Sequence, residues 1–258
     1  FGYSLAIDGT TLLVGAIEGV GNGSGVGSAY VFTFNGSTWS QQAKLVASDG
    51  TAFDSFGHSV ALSGDRAVIG APFDDILAGG VTQAQAGAAY FFARSGSTWT
   101  QTSKAFFAAA SPEDYFGWSV AIDGDVAFIG GPNYDTTTSL TQNRGAFFFY
   151  KWNGAAWVYD AAKSVVGAAD GDLYGNQMAA RAGLFAVTAP GADSFYAIEW
   201  NGTTLINRGT FTSTDTSFGN AISVQSDAII VGMPSYGSDG MAVRYTRSGS
   251  TVSSPVFP

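Results

Sequence analysis

The chain has 258 residues, of which 35 are glycine, and aromatic residues (14%) outnumber charged residues (12%). This composition is too apolar for a disordered polar segment, and no run of eighteen apolar residues predicts a transmembrane helix. Twenty acidic against 11 basic side chains give a net charge of −9, which disfavours nucleic acids and anionic membranes because both bind basic surfaces. The lack of cysteine excludes disulfides and thiolate metal sites, and the single histidine excludes a multi-histidine metal site.

A short motif (an aromatic residue, glycine and a variable residue, with serine next in the first three copies) opens five consecutive units of the chain. Its copies begin at Phe1, Phe56, Phe116, Tyr174 and Phe218. A second apolar run follows and ends near a Gly-Ala-Pro-like sequence; then come an aromatic run, an Asn-Gly or Ser-Gly turn and a fourth run. We therefore divide one domain, 1–258, into repeat units 1–55, 56–115, 116–173, 174–217 and 218–258.

Each unit thus has four short runs rich in Val, Ile, Phe, Tyr and Trp, separated by turn residues, which predicts four β-strands. No twelve-residue window has helical periodicity. Four antiparallel strands that recur every 44–60 residues predict an all-β fold, a β-propeller of five four-stranded antiparallel blades with the first strand of each unit innermost. We expect a complete five-bladed ring; the alternative is a section of a larger ring.

The recurring residues are expected to be structural. The aromatic residues that open the units, together with Trp39, Trp99 and Trp157 of the fourth runs, should pack between successive blades. Glycines of the second run should let neighbouring blades approach closely; these are Gly15, Gly70, Gly130 and Gly232. The proline that follows in the last four units should end the second strand, because it cannot donate a ladder hydrogen bond.

Taken together, these motifs resemble the FG-GAP repeat family, whose best-known members are the headpieces of integrin α subunits. The resemblance covers all five units and is strongest in the first three. It implies a propeller, commonly of seven blades, that acts mostly in extracellular adhesion or ligand binding. The chain departs from the family in having five units and in lacking its Asp-x-Asp-x-Asp-Gly calcium loop.

The connections after the second strand differ in length between units. They are long in the first three units, at residues 18–26, 73–86 and 133–144, and short in the last two. Insertions in repeat proteins map to one face, which often binds the ligand. We therefore expect a loop face whose aromatic residues stack on sugars or anchor a protein. The candidate residues are Phe73, Asp74, Asp75, Tyr134, Asp135 and Tyr236.

Carboxylates near these loops raise the question of a calcium site. Calcium takes about six to eight oxygen ligands, usually with two or more carboxylates, and the densest pairs are Asp74 with Asp75 and Asp170 with Asp172. No single loop supplies three acids at alternate positions, and aspartates in turns commonly accept hydrogen bonds from nearby backbone N–H groups. We expect no cofactor, with calcium as the open alternative.

The variable residue of the opening motif changes where its neighbours do not. It is Tyr3, His58, Trp118, Asn176 and Asn220 in the five units, and we expect these side chains to line the mouth of the central channel. A histidine with a tyrosine can serve as acid and base, and some propeller-fold polysaccharide lyases and hydrolases place such residues among sugar-binding aromatics. The chain has no Gly-x-Ser-x-Gly nucleophile elbow.

From these observations we expect a non-enzymatic binding or adhesion module that acts outside the cell or at its surface. Its partner would be a protein or glycan on a cell surface or matrix, and the module would be part of a larger protein. One alternative is a carbohydrate-active enzyme, a lyase or hydrolase, that uses Tyr3 and His58. A further alternative is a structural spacer of a large surface protein.

Overall fold

The structure is a computed structural model that describes residues 1–18, 25–135, 142–167, 169–214, 217–234, 239–249 and 251–253. These residues form antiparallel β-strands and two short 3-10 turns, Ala161–Lys163 and Pro190–Ala192, with no α-helix among them. The predicted all-β class is confirmed. The described residues include no helix with the length and hydrophobicity needed to cross a membrane.

Five sheets follow one another along the chain, each built mainly from four strands. The first contains β1 (Leu5–Asp8), β2 (Thr11–Ala16), β3 (Ser28–Phe34) and β4 (Trp39–Leu45). The second contains β5 (Ser59–Ser63), β6 (Arg66–Ala71), β9 (Ala88–Ser95) and β10 (Thr98–Ala105), and a separate two-stranded ribbon, β7 (Ile76–Ala78) with β8 (Val81–Gln83), lies between β6 and β9 in sequence.

The remaining three sheets repeat this plan. The third contains β11 (Ser119–Asp123), β12 (Val126–Gly131), β13 (Ala146–Trp152) and β14 (Trp157–Tyr159), and a short fifth strand, β15 (Val165–Val166), also pairs with β13. The fourth contains β16 (Met178–Arg181), β17 (Leu184–Ala189), β18 (Ser194–Trp200) and β19 (Leu205–Thr212). The fifth contains β20 (Ala221–Val224), β21 (Ala228–Met233), β22 (Met241–Ser248) and β23 (Thr251–Ser253). In the last four sheets the second strand ends directly before a proline, as predicted.

The first strands of the five sheets lie side by side in chain order. β1 contacts β5, β5 contacts β11, β11 contacts β16, and β16 contacts β20. Residues from all five line one cavity of about 450 Å³, which we call the axial cavity. The serine of the opening motif ties each sheet to the next, because its hydroxyl donates to the carbonyl oxygen of the next motif's glycine. These bonds are Ser4 to Gly57 (2.7 Å), Ser59 to Gly117 (2.8 Å) and Ser119 to Gly175 (2.6 Å).

The glycines of the second strands lie at these same junctions. A methyl group at Gly70 would overlap the Gly117 carbonyl oxygen, and Gly15 and Gly130 are equally crowded by the next sheet. The predicted close approach is thus confirmed for three sheets. At Gly232 in the fifth sheet the nearest atom, the Cβ of Ala221, would lie 3.3 Å away, so the prediction is wrong there.

The aromatic residues that open the units are buried between sheets, with one exception. Phe56, Phe116, Tyr174 and Phe218 are at most 3% exposed, whereas Phe1 is 77% exposed. The prediction that Phe1 and Trp39 are buried is wrong, since no other sheet among the described residues covers these two side chains, and they are 77% and 43% exposed. Trp99 and Trp157 are half-buried because each packs on the preceding sheet: Trp99 donates to Gln42 (2.9 Å) and Trp157 stacks on Phe91 (4.6 Å).

Candidate functional site

The long connection of the second unit is an ordered β-ribbon. β7 and β8 pair from Ile76 with Gln83 to Ala78 with Val81. At its base the Asp75 carboxylate accepts a hydrogen bond from the backbone N–H of Gln85 at 2.9 Å. Leu77 and Val81 are 69% and 60% exposed, so the ribbon presents apolar side chains to solvent.

A groove of about 890 Å³ runs beside the ribbon, between the connections of the first two units. Its walls combine aromatic and acidic side chains; the lining residues are Ile17, Glu18, Gly25, Ala52, Phe53, Asp54, Ser55, Phe73, Asp75 and Gln85. Phe53 is 72% exposed and has a φ of 74°. This left-handed conformation is unusual for a bulky residue, and it holds an aromatic side chain at the edge of the groove.

Phe73 connects this groove to the mouth of the axial cavity. Its ring centroid lies 6.0 Å from His58, 5.5 Å from Tyr115 and 6.2 Å from Trp118, and His58 lies 4.6 Å from Trp118. Tyr3 continues the row at 5.0 Å from His58. The predicted loop-face residue Phe73 and the predicted channel residues Tyr3, His58 and Trp118 therefore form one aromatic surface.

His58 is held at the centre of this surface by both ring nitrogens. Its Nδ1 lies 3.1 Å from the carbonyl oxygen of Trp118, and its Nε2 lies 3.1 Å from the hydroxyl of Tyr3. Because a carbonyl oxygen only accepts, Nδ1 is assigned the proton, and Nε2 accepts from the Tyr3 hydroxyl. Burial lowers the pKa of His58, opposed by its bond to the Trp118 carbonyl. The imidazole is therefore neutral at physiological pH.

In the fourth and fifth units, the residues that line the axial cavity are not the predicted Asn176 and Asn220. Asn176 is half-buried and Asn220 is exposed, and the axial cavity is lined instead by Gln177, Met178 and Ile222. Tyr115 and Phe53 are further site residues that the motif analysis missed. Tyr115 could have been noticed because it directly precedes a copy of the motif, where two other units have Ser55 and Leu173.

Asp74 and Tyr134 occupy the same position in the second and third units, and both pack inward between sheets. The Asp74 carboxylate accepts from the Tyr90 hydroxyl at 2.6 Å and pairs with Lys104 at 2.8 Å. Burial raises the pKa of Asp74, and the bonds from Lys104 and Tyr90 oppose this. The half-buried Tyr134 packs 5.3 Å from both Phe107 and Phe148. These two candidates therefore contribute to sheet packing.

The carboxylates of the other acidic candidates form hydrogen bonds or ion pairs with nearby residues. Buried Asp135 accepts from the backbone N–H of Asn143 at 2.6 Å, and Asp170 pairs with Arg144 at 2.8 Å. The aspartates two residues before the motif each accept from the backbone N–H three residues earlier: Thr51 to Asp54 (2.6 Å), Ser111 to Asp114 (2.7 Å) and Ala169 to Asp172 (2.7 Å). Tyr236 lies outside the described residues. Within the part of the chain that is described, no three acidic or histidine side chains are placed to hold a metal.

A family model described as FG-GAP repeat matches residues 1–32, 39–92 and 99–150. The matched segments together cover more than half of the 258 residues and lie in the first three units, where the motifs are most regular. No match to a curated protein was found.

Proposed function

The chain belongs to the FG-GAP repeat family, and we propose that it is a β-propeller binding or adhesion module in which the five sheets are the blades. Such repeats are typically found in extracellular or surface proteins, so we also propose an extracellular or cell-surface location. The partner is a protein or glycan that contacts the loop face. This rests on the family and on the site described above.

The observation that carries this proposal is the position of Phe73. It joins the groove, with its exposed Phe53, to the row formed by His58, Trp118 and Tyr3. Aromatic faces supply contact area at low entropic cost and suit both sugar rings and protein anchors. The groove acids Glu18 and Asp75 and the net charge of −9 favour a neutral or cationic partner.

The test replaces residues 73–86 with a short turn patterned on residues 190–193 of the fourth unit. Binding is measured on arrays of neutral and acidic glycans and of extracellular matrix proteins, beside wild type and a matched control that changes the distant Asn35-Gly36 turn. We expect the first variant to remain folded, with a melting temperature lowered by the loss of the buried Asp74 and its ion pair with Lys104, and to lose binding. The control should keep both its melting temperature and its binding. Full binding by the loop replacement would show that the loop face is not the site. No binding by wild type would favour a structural spacer.

Phe73→Ala tests the contribution of the aromatic surface to binding while leaving the ribbon of β7 and β8 in place. If the partner stacks on the aromatic row, this variant should weaken binding at least as much as Leu77→Asp on the exposed ribbon. If Leu77→Asp has the larger effect, a protein contact along the ribbon is favoured over a sugar at the aromatic row.

The bond between Tyr3 and His58 favours a second candidate function, cleavage of an acidic polysaccharide by β-elimination. In such a reaction the neutral Nε2 of His58 would take the proton next to the sugar carboxyl group, the glycosidic C–O bond would break, and the Tyr3 hydroxyl would protonate the leaving oxygen. The measurement is ultraviolet absorbance of the unsaturated product from uronic-acid polymers. Turnover that Tyr3→Phe and His58→Ala both abolish would support the enzyme; its absence in wild type would oppose it.

A further inference from the structure

A second cavity, with no charged side chain in its lining, lies at the junction of the third and fourth sheets. It has a volume of about 310 Å³ and is open to solvent. Its lining consists of Phe147, Val165, Val166, Gly167, Tyr174, Tyr196, Ile198, Leu205 and Asn207. None of these side chains carries a charge, and the volume is at the lower end of the range of small-molecule sites, about 300–1,000 Å³.

The corresponding place between the first and second sheets is filled by a polar network. The Tyr90 hydroxyl donates to Asp74 at 2.6 Å and lies 3.0 Å from the Asp49 carboxylate, and Lys104 pairs with both carboxylates at 2.8 Å. Between the second and third sheets the place is filled by aromatic rings 5.0–5.3 Å apart: Phe107, Tyr134 and Phe148.

The third junction has lost this filling. Counted from the repeat motifs and the strand register, the positions of Asp49, Asp74, Lys104 and Tyr90 are taken by Gly167, Ala192, Thr210 and Tyr196. Three of the four replacements are smaller. In addition, the fourth strand of the third sheet is interrupted after Tyr159, and Val165 and Val166 of β15 remain 40% and 37% exposed. The cavity is what these smaller side chains and this interruption leave open.

One polar group in the cavity has no partner. Tyr174 is 3% exposed and lies edge-on to Tyr196 at 4.8 Å, yet its hydroxyl makes no hydrogen bond with any residue that the structure describes. Its buried counterparts in the other units, Phe56, Phe116 and Phe218, have no hydroxyl. The hydroxyl oxygen is not among the fully buried side-chain atoms that lack a partner in the described part of the chain, so it is accessible from the open cavity and can donate to a molecule bound there. Burial also raises the pKa of Tyr174, so the group remains a hydrogen-bond donor at physiological pH.

We propose that this cavity binds a small neutral molecule with a compact apolar body and one hydrogen-bond acceptor, which accepts from the Tyr174 hydroxyl. The aromatic and aliphatic walls exclude a charged ligand, because it would lose its hydration without gaining an ion pair. The ligand lies between Val165 and Val166 on one side and Ile198 and Leu205 on the other. This site is separate from the loop face and does not depend on its function.

The test uses two probes of nearly equal shape, acetophenone and α-methylstyrene, in which a CH2 group replaces the carbonyl oxygen, so that only the first has a carbonyl acceptor. Both are titrated into the full chain labelled at its Ile, Leu and Val methyl groups, and NMR shifts are followed at Val165, Val166, Ile198 and Leu205. We expect saturable shifts at these methyls and affinity for acetophenone higher by about 2- to 12-fold, the range for one neutral hydrogen bond. No saturable shift with either probe, or equal affinity for the two, overturns the proposal.

Two variants test whether the Tyr174 hydroxyl is the group that donates to acetophenone. Tyr174→Phe should keep the cavity but make the two probes bind equally, whereas Tyr90→Phe, at the filled junction, should leave the preference for acetophenone unchanged. A preference that survives in Tyr174→Phe would overturn the assigned donor. The comparison of the two probes on wild-type protein stands by itself if a variant does not fold.

Discussion

Phe56 and Phe1 occupy the same position in two repeats, and truncating each of them measures what burial between sheets contributes. Phe56 is fully buried, and its ring lies 5.3 Å from Tyr90 and 6.0 Å from Phe92 of its own sheet. Phe56→Ala removes the ring from a closed site and leaves a cavity. We expect the free energy of unfolding to fall by about 3–5 kcal/mol.

Phe1 makes the same contacts within its own sheet, 5.4 Å from Tyr30 and 6.2 Å from Phe32, but is 77% exposed. Phe1→Ala should therefore cost only about the value of such edge contacts, 0.5–1.5 kcal/mol. Urea unfolding of both variants, with midpoint and slope fitted together, gives the two losses. Equal losses would refute the conclusion that packing against the neighbouring sheet, rather than contact within the sheet, makes this position important.

Three further predictions concern ions, pH and close packing. Excess chelator should leave the melting temperature unchanged, because the aspartates here are occupied by local hydrogen bonds; a fall of several degrees that calcium reverses would contradict this and point first to Asp74 and Asp75. Burial, with a contribution from the Asp135 carboxylate, raises the pKa of Asp114 to about 7. Between about pH 4 and 7 the folded state then keeps a proton that the unfolded state has lost, so this group's contribution to stability falls as pH rises, by about 1.4 kcal/mol per unit. Asp114→Asn should therefore be more stable than wild type at pH 8 and lack this part of the pH slope; an unchanged slope in urea unfolding would oppose it. Gly70→Ala should cost about 1–3 kcal/mol because the methyl group meets the Gly117 backbone, whereas Gly232→Ala should cost less, and equal losses in thermal unfolding would count against the close approach.

Much of the fold could be predicted because the same residues recur at the same strand positions. The strands, the strand-ending prolines and the glycines at the first three junctions all follow from local chemistry that each unit repeats. Exposure of Phe1 and Trp39 could not be predicted this way. A motif shows what a residue packs against when a neighbouring sheet is present, but burial depends on whether that neighbour exists.

The candidate site was harder to predict because it depends on side-chain direction after a loop. Phe73 and Asp74 are adjacent, yet Phe73 reaches the aromatic surface while Asp74 turns inward to Tyr90 and Lys104. The sequence placed both on the same loop face. Likewise, the bond between Tyr3 and His58 joins residues 55 positions apart, and only the side-by-side packing of β1 and β5 brings them together.

The junctions between sheets show how a repeated frame can carry distinct sites. The serine-to-glycine bonds keep a distance of 2.6–2.8 Å at three successive junctions, so the backbone spacing there is nearly constant. The filling differs: ions at the first, aromatic rings at the second and an open cavity with an unpaired Tyr174 hydroxyl at the third. A fixed spacing means that each loss of side-chain volume appears as space rather than as a closer approach of the sheets. Positions that vary within such a frame are therefore where we expect ligand sites. The same expectation applies to Phe73, whose counterpart in the third unit is Asn133.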